Sequence, residues 1–111
     1  MAISKKITGN SKAKVESEDS LGGKVILKLF VTGFLPNSTR AVINIKAICE
    51  KYLKGNYELE IIDIYQQPAL ALAEDIIAIP LLIKKFPLPE IRLIGDMSDT
   101  EIILKGLRLL N

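Results

Sequence analysis

The chain has 111 residues, which is the size of one domain. Its net charge of +2 at neutral pH is close to balanced and says little about its partners. It contains no histidine and a single cysteine, Cys49, so histidine general-base catalysis, an intramolecular disulfide and a cysteine cluster for metal binding are excluded. No apolar run is long enough to span a bilayer and no secretory signal is visible. We therefore expect a cytoplasmic protein that binds neither membrane nor nucleic acid.

Residues 1–23 differ in composition from the rest of the chain. They combine Ser, Lys, Gly and Asn in a basic stretch that an acidic stretch follows, and they show neither helical nor strand periodicity. We interpret 1–23 as a flexible N-terminal arm and 24–111 as the folded domain. An arm that binds nucleic acid is the alternative, which the acidic residues Glu16, Glu18 and Asp19 disfavour.

The first part of the folded domain has a strand pattern and then a helix pattern. The run 24–32 is rich in β-forming residues and predicts a mostly buried strand. After a break at 33–36, Asn37 or Ser38 is expected to cap an amphipathic helix that Gly55 ends.

The second part has shorter elements with more proline. The patterns predict a strand over 57–64, a short helix after Pro68, strands over 81–83 and 91–94, and a last helix that begins at a capping box formed by Ser98 and Glu101. Strands joined through a helix pair in parallel, and strands joined by a short turn pair antiparallel. The order β-α-β-α-β-β-α therefore predicts a thioredoxin-like α/β fold with a mixed four-stranded sheet.

The residues that do chemistry in thioredoxins are missing from the corresponding positions. The loop 32–38, where a redox thiol would lie at the start of the first helix, contains no sulfur, and Cys49 falls on the apolar stripe of that helix. Ile79-Pro80 occupies the position at which this fold places a cis-proline. The adjacent acids Glu74 and Asp75 have poor geometry for shared proton transfer. We expect a protein that is not an enzyme, with no catalytic residue, cofactor or metal site.

Several motifs resemble the KaiB family. Residues 28–41, KLFVTGFLPNSTRA, resemble the K-L-Y-V-A-G-x-T-P-N-S-x-R-A segment of that family, and residues 94–98, IGDMS, match its I-G-D-x-S. The spacing from Pro68 to Pro80 and the Pro87-Leu-Pro89 turn also match. The resemblance covers residues 24–110.

This resemblance implies a non-catalytic regulatory adaptor. KaiB proteins bind KaiC, a hexameric ATPase and autokinase, in circadian timing, and they adopt two folds on one sequence. In the ground-state fold they form dimers and tetramers, whereas the thioredoxin-like state binds KaiC after the C-terminal half has rearranged. We therefore expect a homo-oligomer with a KaiC-like partner, acting in clock-related or stress signalling.

Four residues are candidates for controlling the fold switch or for contacting the partner: Ile79, Pro80, Gly106 and Arg108. Ile79 stands where the family has Thr, and Arg108 stands where it has Asp. A base in the last turn of the last helix is favoured by the helix dipole. We therefore predict that the thioredoxin-like fold dominates, with the ground-state fold as the alternative, and that Arg108→Asp shifts the population towards the ground state.

Two other functions stay open. The first is a thioredoxin-like redox or stress-response protein that lacks a C-x-x-C motif. The second is a stand-alone form of the sensory thioredoxin-like domain found on KaiC-interacting histidine kinases.

Overall fold

The elements of the structure, a computed structural model that describes residues 4–8, 24–33, 35–76 and 78–108, follow the predicted order after one additional strand. They are β1 (Ser4–Thr8), β2 (Val25–Val31), α1 (Pro36–Tyr52), β3 (Tyr57–Asp63), α2 (Pro68–Ala73), β4 (Leu81–Phe86), β5 (Ile91–Ile94) and α3 (Thr100–Gly106). The strands form one mixed sheet in the order β1-β3-β2-β4-β5.

The four predicted strands pair as expected. β2 and β3 are parallel and are joined through α1, with Leu27 opposite Leu59. β4 is antiparallel to both β2 and β5, and Leu82 lies opposite Leu29 on one side and Leu93 on the other. The predicted thioredoxin-like arrangement is confirmed.

The N-terminal segment contains a strand that the sequence did not predict. β1 pairs antiparallel with β3, from Ser4 opposite Ile62 to Thr8 opposite Glu58, so the sheet has five strands instead of four. The expectation of a flexible arm is therefore wrong for residues 4–8. Five residues are too few to show a period, and the edge with which they pair exists only once β3 has joined the sheet. Residues 9–23 lie outside the described residues, and the domain boundary at residue 23 stays a prediction.

The core lies on both faces of the sheet because successive strand residues point to opposite sides. One face packs against α1 and α3, through the buried side chains Leu27, Leu29, Ala41, Ile45, Cys49, Leu59, Leu82, Ile103, Leu104 and Leu107. The other face is a smaller cluster of Phe30, Ile62, Leu81 and Ile83, against which Ile64, Ile76 and Ile79 pack. Each fully buried aliphatic side chain contributes about 1.5–3 kcal/mol, so the α1–α3 face supplies most of the apolar stabilisation.

The start of α1 differs from the expectation that Asn37 or Ser38 caps it. The N-cap is Leu35, which makes no side-chain capping hydrogen bond, and Pro36 is the first helical residue. Proline suits this position because its fixed φ is helical and it has no N–H that requires an acceptor.

The start of α3 is one residue later than predicted. Asp99 is the N-cap, and its Oδ1 accepts a hydrogen bond from the Ile102 amide at 3.2 Å. The predicted capping box of Ser98 and Glu101 is therefore wrong. The Ser98 amide instead donates to Asp96 Oδ1 at 3.1 Å, which places Ser98 in a turn before the helix.

In the part of the chain that the structure describes, no helix has the length and apolar character needed to cross a membrane.

Candidate functional site

A shallow cleft lies where redox thioredoxins carry their reactive cysteine. It has a volume of about 310 Å³ and is lined by Thr32, Leu35, Pro36, Asn37, Ser38, Ile79 and Pro80. The buried Ser38 hydroxyl accepts a hydrogen bond from the Thr32 amide at 3.0 Å. Its oxygen therefore holds the β2–α1 loop and does not cap the helix. The lining of this cleft contains no thiol, because Cys49 lies elsewhere on α1.

Cys49 is fully buried on the sheet side of α1, as the apolar stripe predicted. Burial, with a smaller contribution from the charge of Glu50, raises the pKa of this thiol to about 12. The thiol is therefore protonated at neutral pH and is a poor nucleophile.

Ile79 and Pro80 form the wall of the cleft opposite α1. The peptide bond between them is cis, which confirms the prediction. Ile79 packs against the cluster around Phe30 and Ile62, and the Pro80 carbonyl accepts a hydrogen bond from the Gly95 amide at 3.0 Å. This proline therefore joins the start of β4 to the end of β5.

Gly106 has a packing role that helix propensity alone does not reveal. A β-carbon built on Gly106 would lie 2.7 Å from Leu93 Cδ2 and 3.0 Å from Leu93 Cδ1. Contacts this short require one of the two groups to move. Glycine at this position therefore allows α3 to lie directly on β5.

Arg108 does not lie in the last turn of α3, so the expectation drawn from the helix dipole has the wrong premise. The helix ends at Gly106, Leu107 is the C-cap, and Arg108 has a φ of +63°. Its amide closes the helix end by donating to the Lys105 carbonyl at 3.0 Å. Arg108 thus occupies the left-handed position that ordinarily follows a helix and favours glycine.

Lys84 is a buried charge that the sequence analysis missed. It is only 2% exposed, and its Nζ donates to the Pro87 carbonyl at 2.6 Å. Burial, and to a smaller extent the charge of Arg108, lower the pKa of this amine. The signal was present in the sequence, because a period of two places Lys84 on the same face as Leu82.

The four candidate residues therefore surround the β4–β5 hairpin. Ile79 and Pro80 precede β4, Gly106 faces Leu93 on β5, and the charge of Arg108 contributes to lowering the pKa of Lys84 on β4. The structure places them around one supersecondary unit without bringing them into a single pocket.

The two motifs that carry the sequence resemblance contact each other. From the first motif, Arg40 Nε donates to Asp96 Oδ2 of the second at 3.1 Å, and Arg40 Nη2 also donates to Asn37. Asn44, one turn further along α1, donates to the Asp96 carbonyl at 2.9 Å. Hydrogen bonds from Ser98 and Arg40 lower the pKa of the Asp96 carboxyl. These contacts attach the start of α1 to the loop before α3.

An ion-pair network joins α2 to the β4–β5 hairpin. Glu74, at the end of α2, contacts Lys85 at 3.0 Å and Arg92 at 3.3 Å, and Glu90 contacts the same two cations at 3.3 and 3.4 Å. Hydrogen bonds to Lys85 and Arg92 lower the pKa of Glu90, and the two acids raise that of Lys85. Glu74 therefore has an ion-pair partner on each strand of the hairpin. This structural role explains an acid at position 74 without a catalytic function.

Large apolar side chains remain exposed in the C-terminal half of the described residues. Leu88 in the β4–β5 turn is 77% exposed, Ile94 on β5 is 63% exposed and Ile102 on α3 is 58% exposed. Among the described residues, no group of three or more Cys, Asp or Glu side chains is placed to hold a metal ion.

The sequence was compared with protein-family models and with curated proteins, and both comparisons identify the same family. The family model described as the KaiB domain matches residues 28–109. The circadian clock oscillator protein KaiB of Prochlorococcus marinus subsp. pastoris is 51% identical over 85 residues, which cover 77% of this chain and 79% of that protein.

Two solved structures share the fold at low sequence identity. The N-terminal domain of Synechococcus elongatus SasA matches with a TM-score of 0.63 at 22% identity, over 80% of this chain and 88% of that one. Mitochondrial thioredoxin 3 of Saccharomyces cerevisiae matches with a TM-score of 0.64 at 15% identity, over 79% of this chain and 80% of that one.

Proposed function

We propose, since this chain belongs to the KaiB family, that it is a non-catalytic regulator in circadian timing that binds a KaiC-type ATPase and kinase. The observation that carries the proposal is the 51% sequence identity to a circadian clock oscillator protein KaiB. The chain also has the thioredoxin-like strand order. In the family this arrangement is the form that binds KaiC.

The partner docks on the C-terminal half, at α3 and the edge strand β5, and the cleft at Pro80 is not used. Both elements expose apolar side chains, Ile102 on α3 and Ile94 on β5. Exposed apolar residues of this size are typical of the centre of protein interfaces. Gly106 contributes indirectly, because it sets the distance between α3 and β5.

The same features weigh against a thioredoxin-like redox function. A dithiol reductase needs an accessible thiolate with a lowered pKa, whereas Cys49 is buried and its pKa is raised to about 12. The cleft retains the cis-proline without a sulfur atom opposite it.

The proposed interface is tested by Ile102→Glu, which places a charge at the centre of the docking surface. The matched control is Ile43→Glu, because Ile43 on α1 is 60% exposed and Ile102 is 58% exposed. We expect size-exclusion chromatography with a purified KaiC-type protein to show a complex for the wild type and for Ile43→Glu. Ile102→Glu should lose at least tenfold in affinity. Equal loss in both variants would contradict the interface, and no complex with the wild type would contradict the proposed function.

Self-association into dimers or tetramers is the second part of the proposal. It is supported by the exposed Leu72, Leu88 and Ile94, and by the oligomers that the family forms in its ground state. Light scattering over a wide range of protein concentration should show a mass that rises above that of the 12.3 kDa monomer. A constant monomer mass would contradict this part alone.

A further inference from the structure

The outer edge of β3, meaning the side of Tyr57–Asp63 that faces away from β2, is covered by the chain's own N-terminus. β1 pairs along most of this edge, from Thr8 opposite Glu58 to Ser4 opposite Ile62. An uncovered edge strand exposes a row of backbone N–H and C=O groups to which another extended chain can add. We propose that β1 is an intramolecular occupant of a strand-addition site, and that this site accepts a short basic extended segment.

The charge pattern of β3 explains why a basic strand fits. β3 carries Glu58 and Glu60, and β1 contributes two lysines and no acid, with Lys6 opposite Glu60 in the register. Opposite charges at facing positions of an antiparallel pair are favourable, and like charges are unfavourable. Edge-to-edge pairing of β3 with the β3 of a second copy would bring acids together, so the pattern selects a basic strand over self-pairing.

The connection between β1 and β2 allows the occupant to leave. Thr8 and Val25 lie at the same end of the sheet, and two strand spacings, or about 10 Å, separate β1 from β2. Residues 9–24 can reach at most about 58 Å when fully extended. The connection therefore does not force β1 onto the edge. It holds β1 nearby at an effective concentration on the order of millimolar, above that of a competitor at micromolar concentration.

The test uses the full chain with Lys6→Pro and Ile7→Pro combined. Adjacent residues of a strand point their N–H groups in opposite directions, so one of the two prolines removes a hydrogen bond to β3 whichever way β1 faces. The matched control is Lys12→Pro with Ala13→Pro, which adds two prolines to the N-terminal segment outside β1. Amide hydrogen exchange of β3, measured by NMR, is the readout.

We expect alternate amides of β3, those that face β1, to exchange at least tenfold faster in the β1 variant than in the wild type or the control. The amides of β3 that face β2 should keep their protection, which shows that the domain remains folded. A synthetic peptide of residues 2–10, added at micromolar concentration, should restore protection in the variant. Unchanged β3 protection in the variant, or no restoration by the peptide, would overturn the proposal.

A second measurement, on the same β1 variant, tests the preference for basic strands. The same peptide with Lys5→Glu and Lys6→Glu should bind the β1 variant at least tenfold more weakly, because it places acids along an acidic edge. Equal binding of the two peptides would contradict the charge preference. Tight binding of the original peptide to the wild-type chain would show that β1 does not occupy the edge.

Discussion

Single residues in this chain have consequences that their local propensities do not predict. Glycine inside a helix costs about 0.5–1 kcal/mol relative to alanine, which by itself makes Gly106 a defect. In the structure a β-carbon at Gly106 would lie 2.7 Å from a δ-carbon of Leu93, so the end of the Leu93 side chain would have to shift. Gly106 thus exchanges some helix stability for close packing of α3 on β5.

Gly106→Ala is expected to have little net effect on the stability of the thioredoxin-like form, because the Leu93 δ-carbons that must move are the far end of a flexible, half-buried side chain. The cost of that shift offsets a gain in helix propensity of about 0.5–1 kcal/mol. Urea unfolding should show a change smaller than about 1 kcal/mol. In a Leu93→Ala background no δ-carbon has to move, so the same substitution should stabilise the chain by the full gain in helix propensity. An equal effect of Gly106→Ala in both backgrounds would contradict this account of the packing.

Arg108 shows the limit of reading a helix end from sequence. The spacing of apolar residues in the sequence locates α3, but it does not decide which residue is the first to leave the helical conformation. Arg108 follows the C-cap at a φ of +63°, where most residues other than glycine and asparagine are disfavoured. The favourable dipole interaction assumed for a last-turn base is reduced there, and the same charge lies near the buried Lys84. The expected effect of Arg108→Asp on the balance of folds thus loses its main reason.

At the scale of elements, the four strands β2–β5 and the three helices were predictable because each has a clear pattern. The run 24–32 contains β2, and 91–94 coincides with β5. The helix starts were predicted wrongly at two places. At α1, Pro36 is the first helical residue, so neither Asn37 nor Ser38 is the N-cap. At α3, Ser98 and Asp99 can both accept a hydrogen bond at the N-cap, and Asp99 does so. β1 was missed because its order depends on pairing with β3, a tertiary contact that five residues of sequence cannot reveal.

The contact between α1 and the loop before α3 predicts a specific pH dependence. The pKa of Asp96 is lowered in the folded chain, chiefly by Ser98 and then by Arg40. A carboxyl with a lowered pKa in the folded state contributes stability above its unfolded pKa, and that contribution is lost as the pH falls through the folded value. Its ordinary value is 3.8, so the contribution is complete at pH 7 and declines below about pH 4.

Asp96→Asn should therefore lower the free energy of unfolding at pH 7 and lose less stability than the wild type between pH 7 and pH 3. Urea unfolding at the two pH values measures both differences. Asp99→Asn is a useful control, because asparagine keeps the N-cap of α3. If the wild type and Asp96→Asn lost the same stability on acidification, the carboxylate of Asp96 would not be a source of the acid sensitivity.

At the scale of the whole molecule, the fold and the family could be predicted from sequence, whereas the site could only be predicted in part. The motifs around Arg40 and Asp96 identified the family, and the structure shows that the two motifs meet where the start of α1 contacts the loop before α3. The candidate residues form two pairs about 25 residues apart in sequence, and their arrangement around the β4–β5 hairpin depends on the register of β4 with β2 and β5. No local pattern encodes that register.

The fold switch that the family resemblance implies would be a property of the whole molecule, and Glu74 is the residue best placed to test it. Its carboxylate contacts Lys85 on β4 and Arg92 on β5, so both ion pairs require α2, β4 and β5 to be assembled as in the thioredoxin-like form. Both ion pairs can therefore be tested with one substitution.

Glu74→Gln keeps the shape of the side chain and removes its charge. Partly exposed ion pairs contribute about 0.2–1 kcal/mol each, so we expect the ratio of thioredoxin-like to ground-state chains to fall by about fivefold at low salt. The control is Asp75→Asn, since Asp75 makes no ion pair with the described residues and asparagine tolerates its φ of +60°. NMR cross-peaks between Leu82 and Leu93, which face each other across β4 and β5, measure the thioredoxin-like population. If those cross-peaks were absent from the wild type, or if the two variants reduced them equally, the network would not be what favours this fold.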